Sequence, residues 1–138
     1  MLPLSRNPAI GAAMITVLLI DDDPLIRMAM EWLMADWGFH VVAAGSEEEA
    51  TTKLAESVVP ALMVVDWRLP GGRTGADAVG RIRSLFRRHI PAIVVTGEVP
   101  SRPMRAIEDA GCPVLQKPVS PATLKAAVTD ALAGPRDS

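Results

Sequence analysis

Five short apolar runs, at 15–20, 39–44, 61–65, 90–95 and 114–115, alternate with segments of helical periodicity, and this alternation leaves the chain few folds to adopt. Runs that are apolar throughout, rather than at every second residue, suit strands covered on both faces. Strands separated by helices join through right-handed crossovers into a parallel sheet. The expectation is therefore an α/β fold of five β–α units with helices on both faces of a five-stranded parallel sheet. Helix signals agree. Asp23-Pro24 is an N-cap followed by proline at the first helical position. Leu25, Met28, Ala29, Trp32 and Leu33 follow at helical spacing, and Gly38 closes the segment. Ser46 and Glu49 form a capping box for a second helix reaching about residue 57. A third helix is expected over 75–87 after a flexible Gly71-Gly72 loop, and a weaker fourth over 102–110. The last runs from Ser120-Pro121 to about residue 133.

With 138 residues, 49% apolar and 22% charged, the chain is expected to form one domain over 15–133, with a disordered leader at 1–14 and a short tail at 134–138. Met14 offers a second translation start, and the short tail leads to the expectation of a receiver without an output domain. A net charge of −2 makes no electrostatic case for nucleic acid or an anionic membrane as direct partner. No apolar run approaches the ~20 residues that span a bilayer. Cys112 is the one cysteine, so there is no internal disulfide and a reducing, cytoplasmic setting is expected.

The polar residues that end the strands carry the chemistry. Asp21, Asp22 and Asp23 follow the first run, Asp66 the third, Thr96 the fourth and Lys117 the fifth. In an open parallel sheet all carboxyl ends of strands share one edge, where ligands bind. Like charges packed at a buried strand tip repel one another and resist desolvation, which points to a cation. Carboxylates suit a hard divalent ion such as Mg²⁺. A carboxylate can also act as the nucleophile and become an acyl phosphate. A lysine and a hydroxyl would neutralise and hydrogen-bond phosphoryl oxygens. Asp23 reads as the cap of the first helix.

The joint pattern resembles the receiver domain of the two-component response-regulator family. It runs through Val17-Leu18-Leu19-Ile20-Asp21-Asp22-Asp23-Pro24, Val64-Val65-Asp66-Trp67-Arg68-Leu69-Pro70-Gly71, Val94-Val95-Thr96-Gly97 and Leu115-Gln116-Lys117-Pro118. The likeness covers about residues 15–133 and is similar to receivers at the C-terminus of hybrid sensor histidine kinases. It implies a flavodoxin-like (βα)5 fold with strand order 2-1-3-4-5. It implies that Asp66 accepts a phosphoryl group from a histidine kinase or histidine phosphotransfer protein. Asp21, Asp22, Asp66 and the backbone carbonyl of Arg68 would bind Mg²⁺. Lys117 would pair with a phosphoryl oxygen, Thr96 would bond another, and the Lys117–Pro118 peptide would be cis. Such a domain catalyses only its own phosphorylation and dephosphorylation and signals by protein contact, to a downstream protein the sequence does not name. Dimerisation through the last two units is left open.

Two departures and three ambiguous features accompany the pattern. The family commonly has an aromatic three residues ahead of its lysine, whereas this chain has Val114, stiff at χ1 and without a hydroxyl. The usual threonine–aromatic coupling is in doubt for that reason. Arg68 and Glu98, flanking the site, are expected to pair across its entrance and gate water. Trp67 is either a lid or partner contact, or a ring lying over the sheet edge. At least one of Trp32 and Trp37 is expected in the core. Arg81, Arg83, Arg87 and Arg88 read as a solvated basic face. The competing functions are a small Mg²⁺-dependent phosphohydrolase with an aspartyl nucleophile, which lacks an Asp-x-Asp pair here, and a degenerate receiver acting only as a binding module.

Overall fold

The computed structural model describes residues 14–54 and 59–134. All but the last residue of the expected leader, most of the tail and the last turn of the second helix lie outside the described residues. In chain order the elements are β1 (Thr16–Ile20), α1 (Pro24–Asp36), β2 (His40–Ala44), α2 (Glu47–Leu54), β3 (Leu62–Asp66), α3 (Gly75–Phe86), β4 (Ala92–Thr96), α4 (Arg102–Asp109), β5 (Val114–Gln116) and α5 (Pro121–Leu132). The five strands form one parallel sheet in the order β2-β1-β3-β4-β5. This is the fold and strand order expected.

Alternation along each strand explains the two-sided core. Leu18, Ile20, Met63 and Val65 face Leu54, Ala78, Val79 and Ile82 of α2 and α3. Val17, Leu19, Leu62 and Val64 face Met30, Met34, Leu124 and Val128 of α1 and α5. Fully burying one such side chain contributes about 1.5–3 kcal/mol, so the central strands, buried at every position, anchor the sheet.

The helix starts read from the sequence are present. Asp23 Oδ1 accepts the amides of Leu25 and Ile26 at 3.0 and 3.3 Å. Ser46 Oγ accepts the Glu49 amide at 3.0 Å, and Glu49 reaches back to the Gly45 amide at 2.7 Å. That backbone bond, with Lys53 beside it, holds the Glu49 carboxyl below its ordinary pKa.

Three readings change. The stripe Leu25, Met28, Ala29 and Trp32 is the exposed side of α1, and the helix instead turns Ile26, Met30 and Met34 inward, with Trp37 at its C-cap beside them. Apolar residues lie nearly all round this helix, so periodicity alone does not choose a face. The Gly71-Gly72 loop is not unstructured. Arg68–Leu69 and Arg73–Thr74 pair as a two-residue antiparallel ribbon around the turn Pro70–Gly72. Gly71 and Gly72 adopt φ of 78° and 74°, which only glycine enters without strain. Thirdly, the basic face of α3 is not simply solvated. Arg81 bonds Glu47 at 3.2 Å and Arg83 bonds the Ile90 carbonyl at 2.9 Å. Trp37 is partly buried and packs against the core under the Lys125 ammonium, 5.7 Å from its ring centre, while Trp32 is exposed.

Candidate functional site

Every polar residue singled out at a strand end arrives at the same edge of the sheet. Asp66 is the last residue of β3 and pairs in register with Val95, one residue short of Thr96 at the end of β4. Asp21 and Asp22 follow β1 directly. Lys117 follows β5, its amide bonded to the Thr96 carbonyl at 2.7 Å, and the Lys117–Pro118 peptide is cis as expected.

Carboxylate oxygens of Asp21, Asp22 and Asp66 lie within 4.8 Å of one another. Asp21 and Asp66 are buried and Asp22 is exposed. The Lys117 ammonium sits 3.3 Å from Asp21 Oδ2 and 3.3 Å from Asp66 Oδ2. Lys117 thus bridges two of the three carboxylates. Burial, reinforced by the Asp21 charge, pushes the Asp66 carboxyl up to about 6 against the opposing pull of Lys117. Burial also works against the Lys117 ammonium, but Asp21 and Asp66 outweigh it and hold its pKa above the ordinary lysine value. An all-oxygen donor set with excess negative charge fits a hard divalent cation.

Thr96 is buried, and its hydroxyl accepts the Glu98 amide at 3.0 Å, so its own hydrogen is free to turn to another acceptor. Arg68 and Glu98 do pair, through both Nε and Nη2 of the guanidinium, with Arg68 largely exposed. Trp67 does not form a lid. Its ring is buried against Val94 and Met104, with Val114 and Ile107 alongside. Val114, paired in register with Val94, therefore packs against the same cluster beneath α4 as the residue that follows Asp66.

Two contributors went unread in the sequence. Arg27 donates to the Asp21 carbonyl at 2.7 Å, tying α1 to the acidic turn. Its place four residues after the helix cap, on the side facing the strand ends, was the available signal. Gly75 presses on the site from α3. A Cβ there would lie 2.8 Å from the Asp66 carbonyl, and the Gly75 amide already bonds the Trp67 carbonyl at 2.7 Å. Only a residue without a side chain lets α3 start this close to the acidic residue.

Residues 17–129 match the family model described as the response regulator receiver domain. The chain belongs to that family. Among relatives of this receiver, the phyllosphere-induced regulator PhyR of Methylorubrum extorquens is 32% identical over 84% of the chain and 43% of its own length. The phosphate regulon transcriptional regulatory protein PhoB of Escherichia coli is 31% identical over 81% of the chain and 49% of its own. The receiver thus spans less than half the length of these two relatives. Among solved structures, chemotaxis protein CheY4 of Vibrio cholerae superposes with a TM-score of 0.77 at 26% identity, covering 87% of this chain and all of the other. Receiver domains work in two-component signalling with histidine kinases or phosphotransfer proteins, and they bind Mg²⁺ at an acidic pocket, which the Asp21, Asp22 and Asp66 cluster matches here. Among the described residues, no helix is long and apolar enough to cross a membrane.

Proposed function

We propose that this receiver is a phosphoacceptor switch that takes a phosphoryl group onto Asp66. The observation that supports it best is the Asp66 carboxylate held between one ammonium and two further carboxylates. An Asp66 oxygen attacks phosphorus of a phosphohistidine on a histidine kinase or phosphotransfer protein. The O–P bond forms as the P–N bond breaks, and the leaving imidazole keeps the electron pair and takes a proton. Lys117 neutralises a phosphoryl oxygen, and Thr96 turns its hydroxyl hydrogen to another. Asp21, Asp22, Asp66 and the Arg68 carbonyl would hold Mg²⁺, which supplies charge neutralisation at the phosphoryl oxygens when bound. The domain acts only on its own carboxylate, in the cytoplasm, and passes the signal by protein contact.

Exposure to acetyl phosphate with Mg²⁺ should add one phosphoryl mass to the wild type and none to Asp66→Ala, read by intact mass spectrometry. A wild-type chain that takes no label, or an Asp66→Ala variant that still does, would remove the switch reading. In the former case a receiver acting only as a binding module would be favoured.

We further propose that the Arg68–Glu98 pair, whose members stand two residues beyond Asp66 and Thr96, slows water attack on the acyl phosphate. Arg68→Ala and Glu98→Ala should each shorten its lifetime by up to about fivefold, the rate equivalent of the ~1 kcal/mol ceiling for an exposed pair. Unchanged lifetimes in both would sink the gating role.

A further inference from the structure

Glu47 is the first residue of α2, yet it is 4% exposed, far more buried than an acidic residue at a helix start needs to be. Its Oε2 takes Arg81 Nη1 at 3.2 Å and Arg73 Nη2 at 3.6 Å. Its Oε1 is buried and without a hydrogen-bond partner. A small cavity of about 180 Å³ lies here, between the start of α2 and the turn at Pro70 and Gly71. A buried carboxylate with an orphaned oxygen works against stability. What it achieves is a tie between α2, α3 and the ribbon.

That ribbon leads directly out of the phosphoacceptor site. Arg73 stands opposite Leu69, and Thr74 opposite Arg68. Thr74 then caps α3, and Gly75 closes against Asp66 and Trp67. The Arg68 backbone is thus held from behind by Thr74, the next residue on the same ribbon strand as Arg73, and the Arg73 side chain is held by Glu47. We infer that Glu47 is a positioning residue for the phosphoacceptor loop: through Arg73 and Arg81 it sets where the Arg68 carbonyl stands relative to Asp66. The inference rests on the proposed reading of Asp66 as a metal-assisted phosphoacceptor.

The test is Mg²⁺ affinity by calorimetry on the whole chain, with thermal melts alongside. Glu47→Gln should weaken Mg²⁺ binding about tenfold or more, the usual scale for groups that orient ligands from behind. Arg73→Gln should weaken it in the same direction. This pairing separates positioning from through-space charge, because loss of the Arg73 positive charge would by field alone strengthen cation binding. Arg73 is also half-exposed, so its variant stays informative where Glu47→Gln fails to fold. The double variant should bind no more weakly than the worse single one. Lower melting temperatures with wild-type Mg²⁺ affinity would show a merely structural tie and overturn the inference. So would opposite shifts in the two single variants. A wild-type chain that binds no Mg²⁺ would instead remove the phosphoacceptor reading, and this inference with it.

Discussion

Asp66→Asn should make the metal-free protein more stable at pH 8 while abolishing its phosphorylation. Burial and the Asp21 charge raise the folded-state pKa of Asp66 to about 6, above an unfolded value of about 4. A carboxyl raised in this way favours the fold when protonated. Its favourable contribution is complete below about pH 4 and is lost as pH rises through about 6. At pH 8 the ionised group therefore works against the fold by up to roughly 3 kcal/mol, with little relief from solvent at a side chain 9% exposed. Replacement by the neutral amide should recover on the order of 1–3 kcal/mol at pH 8 and almost nothing at pH 4. Urea melts of both proteins in EDTA across that range would check it. A variant less stable than wild type at pH 8, or an advantage that grows toward acid, would contradict the electrostatic account. Added Mg²⁺ should narrow or reverse the difference, because a ligand that binds only the folded wild type stabilises it by about 2.7 kcal/mol at a hundred times its Kd.

Lys117→Met should act in the opposite sense on the metal-free fold. The ammonium bridges Asp21 and Asp66 at 3.3 Å each, and its removal leaves two buried carboxylates facing each other without a cation. Breaking a buried pair by deleting one partner costs about 3–5 kcal/mol. The loss should be largest at pH 7–8, above the raised pKa of Asp66, and should shrink as acid protonates Asp66. Mg²⁺ should restore more stability to this variant than to wild type, since the competing positive charge is gone. Phosphorylation by acetyl phosphate should nevertheless fall by about 10²–10³-fold, the scale for removing one donor to a developing oxyanion. Unaltered melts in EDTA would show that the bridge contributes nothing, and a wild-type phosphorylation rate would remove Lys117 from the chemistry.

Much of this site is legible in the sequence because its members sit at strand ends. Strand ends can be read from local composition, as at Ile20-Asp21 and Val65-Asp66. Caps such as Asp23-Pro24 and Ser120-Pro121 were legible for the same reason, since a cap depends on residues within one helical turn. The inward face of α1 was not, because Leu25, Met28 and Trp32 are as apolar as Met30 and Met34, and only contact with β1 and α5 separates them. The ribbon behind Asp66 was missed because its strands are two residues long, below the length at which alternation can be seen.

The sequence by itself determined five β–α units and the identities of Asp21, Asp22, Asp66, Thr96 and Lys117, all carried by short-range patterns of apolarity and turn chemistry. The tertiary structure alone decided that Trp67 turns under α4 into a cluster with Met104 and that Arg68 closes on Glu98. It alone placed Glu47 in a buried tie to Arg73 and Arg81. Each of these contacts joins residues at least 26 positions apart, Arg73 with Glu47 being the nearest pair. Their partners are chosen by which surfaces the packed sheet brings together, and no local pattern in the chain encodes that choice.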